Sequence, residues 1–418
     1  MSQHALLQGE LARACEHWRA AAERLRDPEA LAPLGAWRAL EHYLGVSLRG
    51  SLRAVVARLE ALVQDFERQL AMGQEMDAAL LQARLAAVRH AYLRAETTVD
   101  FYGDALATRT SPRLGAMLRA CDHIATRSMA EALTPMGREV PAALTYLDKG
   151  LGASILKAGL RLWDGSEESC VAAIKITRHN LLRPNAIVHE AGHQVAHMLG
   201  WVPELAARLE HAAGAGELGR LWGSWASEIA ADGFAHAHTG FAAAAALHDV
   251  LDGTDAAVFQ IVPGDPHPVS YLRVWMVLGM CRHSFGAGPW DATGATWCAK
   301  HPIARCPAEL REVMRASVRV MPRLVSAVLD APYRAFGGRP ITALIDPRRV
   351  SPPALEQLAR QAGTSAFTST YWSWNEAVRL MALNGYRAGL GAAELREATA
   401  AQERWMLRLG AMQVNKVA

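Results

Sequence analysis

The stretch 185–200, NAIVHEAGHQVAHMLG, sets two histidines four residues apart, with a glutamate directly after the first. On an α-helix, residues four apart lie about 40° round and ~6 Å along the axis, so the imidazoles of His189 and His193 can reach one tetrahedral metal ion. Glu190 lies about 100° round from His189, beside the ligands and outside the coordination sphere, where it can hold a water as general base. Ile187, Val188, Ala191, Val195, Met198 and Leu199 fall on the other side. That side is expected to bury the back of the helix in a core. His197 comes eight residues after His189, ~12 Å along the axis, too far to share the ion. It is expected to be packed or partly exposed.

Downstream, the segment 224–232, SWASEIAAD, puts Glu228 and Asp232 one turn apart on a second helix. A carboxylate from a separate helix supplies the third ligand that a two-histidine site needs, and a second carboxylate can orient a ligand imidazole. HExxH followed by ExxxD is similar to the gluzincin branch of the zincin metallopeptidases. The resemblance covers residues 171–232, extending at most to 273. It implies that His189, His193 and Glu228 bind Zn2+, that Glu190 is the general base of peptide or amide hydrolysis, and that Asp232 supports a ligand histidine. His193 and Glu228 are 35 positions apart, a longer gap than in thermolysin-like enzymes. The intervening residues 201–223 have their own helical pattern and a Gly214 to Gly216 break, so they are expected to loop out; Glu204 and Glu210 are the alternative third ligands. His236 and His238 read as core or surface histidines.

Amide hydrolysis also needs a donor aimed at the oxyanion. In 264–273, GDPHPVSYLR, prolines on both sides stiffen the backbone around His267, and Tyr271 and Arg273 follow. These three are the candidate catalytic donors, and a similar His-Pro then Arg arrangement occurs downstream in several zincin families. The bland reading of the segment is a rigid turn ahead of a helix. The expected strand 171–176, VAAIKI, resembles the edge strand with which zincins bind extended peptides, and its backbone is expected to pair with substrate.

The rest of the chain frames this core. Apolar residues recur at helical spacing from Leu6 to about Ala130, with breaks at Asp27-Pro28, Leu44-Gly45 and Met72-Gly73; Ser111-Pro112 opens a further helix and 134–137 closes it. Short strands are expected at 144–147, 153–156 and 171–176, and helices dominate afterwards. The expected fold class is mainly α with a small β-sheet (α+β). The expected divisions are a helical N-terminal domain or arm at 1–135, a zincin-like core at 136–300 and a helical region at 301–418.

At 51% hydrophobic and 20% charged residues the chain is far from the composition of disorder, and a net charge of +3 without basic runs gives no case for nucleic acid. No window approaches ~18 uncharged apolar residues, so no membrane span is expected. The charged N-terminus lacks a secretory pattern, which makes the cytoplasm the expected compartment. Six scattered cysteines fit reduced thiols, although Cys298 and Cys306 flank His301, where a second metal site is conceivable. The expected partner is a peptide or protein substrate, and the helical N-terminus offers a surface for a protein partner. Two other functions fit the same residues: a non-catalytic binding or scaffold protein, and a non-haem iron oxygenase, whose metal also sits on two histidines and one carboxylate.

Overall fold

Apolar spacing of three and four residues produces the helices expected at the N-terminus. In the structure, a computed structural model, these are α1 (Gln3–Arg24), α2 (Leu34–Leu44), α3 (Leu48–Ala71) and α4 (Ala78–Arg109). The structure describes residues 3–71, 78–148, 154–156, 161–162, 167–168, 171–181, 183–214 and 216–412. Val55, Leu59, Val63 and Phe66 of α3 are buried against Leu11 and Cys15 of α1 and Leu81, Val88 and Ala95 of α4. Each large apolar side chain so buried contributes about 1.5–3 kcal/mol. The breaks fall where expected: Asp27 accepts the N–H of Glu29 at the start of a 3-10 turn, and α2 stops before Gly45. The expected break at Met72-Gly73 and Cys170 lie outside the described residues.

Two compact units divide the chain: Met1–Ser111 with Arg161–Glu168, and Pro112–Leu160 with Ser169–Ala418. The units part at Ser111 instead of at 135, and no division falls at 300. The reason is packing. Helix α5 (Pro112–Leu133) lies against strand β1 (Ala142–Leu147), with Asp122 accepting the Thr145 N–H at 2.6 Å, and it also packs on helices of the metal-site region and of the C-terminus.

The sheet of the second unit has the order β1–β5–β2, where β2 is Ser154–Leu156 and β5 is Val171–Ile176. Between β2 and β5 in the chain, β3 (Arg161–Leu162) and β4 (Glu167–Glu168) form an antiparallel ribbon that groups with the first unit. β5 runs parallel to β1 along its whole length and antiparallel to β2 at residues 173–175. This corrects the expectation that 171–176 is an edge strand. Both of its hydrogen-bonding sides are engaged within the protein, so no row of its backbone groups is left for a substrate strand.

After the sheet the unit is helical: α6 (Asn185–Leu199), α7 (Trp201–Ala213), α8 (Glu217–Ser224), α9 (Ala226–Thr239), α10 (Phe241–Leu251), α11 (Asp255–Val258), α12 (Ser270–Phe285), α13 (Pro289–Lys300) and α14 (Arg311–Leu329) come first. α15 (Ile341–Leu344), α16 (Pro352–Ala362), α17 (Thr370–Asn375), α18 (Ala377–Ala388) and α19 (Ala392–Ala411) follow. The fold is therefore mainly α with a small sheet, as expected. α9 is its centre, buried at every position except Ser227 and packed by α6, α7, α10, α12, α14 and α18. Among the described residues, no helix is long and apolar enough to cross a membrane.

Candidate metal centre

The HExxH stretch folds as α6, which ends at Gly200 with φ 68°, a left-handed conformation that favours glycine. Its buried back, Ile187, Val188, Ala191 and Val195, enters the main apolar core. α6 and α9 cross at Gly192. A Cβ placed there would lie 3.0 Å from the Ala231 Cα and 3.0 Å from the Phe234 Cβ, so only glycine lets the two helices come this close. The contact point is one turn from His189 on α6 and between Glu228 and Asp232 on α9.

That crossing brings the side chains together. His189 Nε2 is 3.3 Å and His193 Nε2 3.2 Å from the Glu228 carboxylate, and one ligand atom from each of the three residues lies within 4.8 Å of the others. Adjacent corners of a tetrahedron with bonds of 2.0–2.1 Å are about 3.4 Å apart, so the spacing suits a zinc-sized tetrahedral ion. Asp232 Oδ1 lies 2.9 Å from His189 Nδ1, a contact that would keep the proton on Nδ1 and leave Nε2 for a metal ion bound there. Ser227 Oγ is 3.3 Å from His193 Nδ1 and serves the second ring similarly. Among the described residues, His189, His193 and Glu228 form the one cluster of three or more metal-ligating groups within reach of a single ion.

Arg273 of α12 reaches in from the other side. Its Nε and Nη2 hold the two oxygens of Asp232 at 2.7 and 2.9 Å, and Nη2 is 3.0 Å from Glu228 Oε2. Burial opposes ionisation of both carboxylates. The Arg273 charge and the His189 contact bring Asp232 down to about 2, while hydrogen bonds to His189 and His193 hold Glu228 well below the usual carboxylate range. Burial likewise disfavours a charged His189, yet its hydrogen bonds to Asp232 and Glu228 raise it to about 10. Burial pushes Glu190 up to about 7, outweighing the opposing charges of His189 and Arg273.

The site opens into a cavity of about 910 Å3. His189, Glu190, His193, Glu228, Asp232 and Arg273 occupy one part of its wall, Ala243, Ala244, Leu247, Val250 and Val277 form an apolar stretch, and Asn180, Arg183 and Asp249 are among the polar groups elsewhere on it. His267 stands at the mouth, 56% exposed, with Nε2 3.6 Å from Glu228 Oε2 and Nδ1 2.5 Å from Asp265 Oδ1. Tyr271 is not brought to the cavity. It is 3% exposed, its ring packs on Phe259, and its hydroxyl faces Cys298. Both Tyr271 and Arg273 belong to α12, and two helical residues are about 200° apart, so turning Arg273 to the metal site turns Tyr271 away.

The 35-position gap leaves Glu228 in place because α7 and α8 pack on one another and α7 returns against α9 and α14, so these residues join the core instead of looping out. The alternatives are occupied elsewhere. Glu204 accepts the N–H groups of Arg334 and Ala335 at 2.8 and 3.1 Å, and Glu210 lies over Gly223. His197 is exposed on the far turn of α6. His236 lines the cavity with Nε2 2.9 Å from Ser284 Oγ, and His238 is buried edge-on against Phe234. His301 bonds Asp255 at 2.7 Å and Asp252 at 3.3 Å instead of joining Cys298 and Cys306. The sequence reading missed Ser227, which carries no spacing signal beyond preceding Glu228. No protein-family model, curated protein or solved structure matches the chain.

Proposed function

We propose that the protein is a zinc-dependent hydrolase of peptide or amide bonds, of the gluzincin kind. One observation carries this reading: two imidazole Nε2 atoms and the Glu228 carboxylate converge within 4.8 Å on the wall of a cavity that Glu190 also lines. A purely structural zinc site is usually closed by four protein ligands and has no use for a fifth, buried carboxylate beside them.

The donor set fits zinc, through His189 Nε2, His193 Nε2 and one oxygen of Glu228. Bound there, the ion would polarise a scissile carbonyl and lower the pKa of water at the open position. Glu190 takes the proton from the attacking water and passes it to the leaving nitrogen. Asp232 keeps His189 in the ligating tautomer. Arg273, tied to Asp232 and to Glu228 Oε2, keeps the third ligand from swinging away; it is a positioning residue. His267 at the mouth is the group available to hydrogen-bond the substrate oxygen as charge develops. The apolar lining supports a substrate with an apolar group next to the scissile bond.

The test pairs metal analysis with turnover. Zinc-loaded parent protein and Glu190→Gln are incubated with a proteome-derived peptide library, and new termini are read by mass spectrometry. Cleavage by the parent, absent in Glu190→Gln with its zinc retained, supports the proposal. Protein that purifies with iron and no zinc, or a Glu190→Gln variant as active as the parent, sinks it.

A further inference from the structure

Away from the metal ligands, a small pocket of about 10 Å3 lies between the N-terminus of α6 and helices α18 and α19. Arg183, Asn185, Asn384 and Gln402 line it. Six of their buried polar atoms have no hydrogen-bond partner in the protein: Arg183 Nε and Nη2, Asn185 Nδ2 and Oδ1, Asn384 Oδ1 and Gln402 Nε2. Asn185, Asn384 and Gln402 are 3%, 2% and 2% exposed, so bulk solvent does not satisfy them. Other atoms of the same residues are paired: Arg183 Nη1 donates to Asp249, and Asn384 Nδ2 donates to Gln402 Oε1 at 2.8 Å. The α6 N-terminus has no side-chain cap, since Pro184 stands at that position.

We propose that this pocket binds one ordered water molecule, which ties the first turn of the metal-site helix to the C-terminal helices. A space of this size holds about one water, and buried waters typically make two to four hydrogen bonds to groups of this kind. The chemistry of the lining selects water over a small anion. Four of the six atoms are donors and two are acceptors, and a water donates to both acceptors while accepting from two donors. Chloride would accept from the donors but leave the Asn185 and Asn384 oxygens facing a negative charge. The inventory does not depend on how the amides are oriented. Flipping Asn185 exchanges its own donor and acceptor, and flipping the Asn384–Gln402 pair together again leaves one of each. Asn185 is the first residue of α6, one turn before His189, so the water would hold the helix at the end nearest its first ligand.

A crystal structure of the full chain beyond ~2 Å resolution, with a second crystal soaked in bromide, reads the site directly. The expected result is a density peak within ~2.7–3.2 Å of the Asn185 and Asn384 or Gln402 amides and no anomalous bromide signal there. An empty pocket, or a bromide peak inside it, overturns the proposal. Gln402→Met fills the pocket with a thioether. Hydrogen exchange at the amides of Ala186 to His189 should then accelerate about tenfold, the equivalent of one or two lost hydrogen bonds, with α9 unaffected. Unchanged exchange in a folded Gln402→Met protein would refute the tie between the helices.

Discussion

A single methyl group added at Gly192 probes the closeness of the two helices that carry the ligands. The new Cβ would sit 3.0 Å from the Ala231 Cα, 3.0 Å from the Phe234 Cβ and 3.1 Å from its Cδ1, against an ordinary carbon contact of about 3.5–4.0 Å. The Phe234 ring can rotate, but the Ala231 Cα is backbone, so α9 must retreat bodily by a few tenths of an ångström. Glu228 and Asp232 flank Ala231 and retreat with it. Two effects oppose each other in stability. Glycine to alanine inside a helix gains about 1 kcal/mol, while overpacking costs about 1–3 kcal/mol. The net expectation for Gly192→Ala is a loss of about 0–2 kcal/mol, or at most a few degrees in Tm for a unit of this size. Zinc affinity should suffer more, by ~10- to 100-fold, the scale typical when a metal ligand is mis-set by its support. Urea unfolding of the metal-free proteins and competition with a chromophoric chelator measure the two effects separately. A variant stabilised by the full helix-propensity gain and binding zinc like the parent would refute the close crossing.

Glu228→Ala should weaken zinc binding more than Asp232→Ala, because one loses a ligand atom and the other only the orientation of His189; equal affinities in a metal titration would dissolve the distinction between ligand and support. His197→Ala should leave zinc stoichiometry near one per chain by elemental analysis, since that side chain is on the exposed end of α6. Burial holds His123 at about 4, His236 at about 3 and His238 at about 4, all below the ordinary 6.5. Unfolding therefore takes up a proton at each as pH falls below ~6.5. The stability they contribute is complete above that pH and is lost as pH drops toward 4, about 1.4 kcal/mol per histidine between pH 7.5 and 5.5. Urea midpoints at the two pH values should show a smaller acid loss for His236→Gln than for the parent; the same loss in both would contradict the assignment.

Local signals were legible and long-range ones were not. Asp27, Gly45, Pro112 and Gly137 marked helix boundaries because capping and punctuation depend on neighbouring residues alone, and the structure places ends at each. HExxH and ExxxD were legible for the same reason, each being one turn of one helix. That they meet depends on Gly192, which sits inside the motif and admits the close approach. The error over 171–176 had a visible warning, since VAAIKI is apolar at every position but Lys175, and strands buried on both faces read that way more often than edge strands do. Grouping Tyr271 with Arg273 ignored the phase of α12. The Arg273 fork on Asp232 joins positions 41 apart, and no periodicity within either helix announces it.

The burial of α9 has a consequence for how this sequence can change over time. A surface helix lets substitutions accumulate on a wet side, such as α6 has at His197, but a helix buried all round has no such side. Every exchange from Ala226 to Thr239 alters either a packed volume or a ligand support, Ser227 included through its contact with His193. Its small residues are part of that constraint: Gly233 already has the Val328 side chain 2.6 Å from where a Cβ would stand. Lineages descending from a common ancestor with this chain should therefore diverge least along 226–239, with less restraint at the end of the helix bearing HExxH. A profile weighted on that segment would reach distant kin further than one built on the better-known motif.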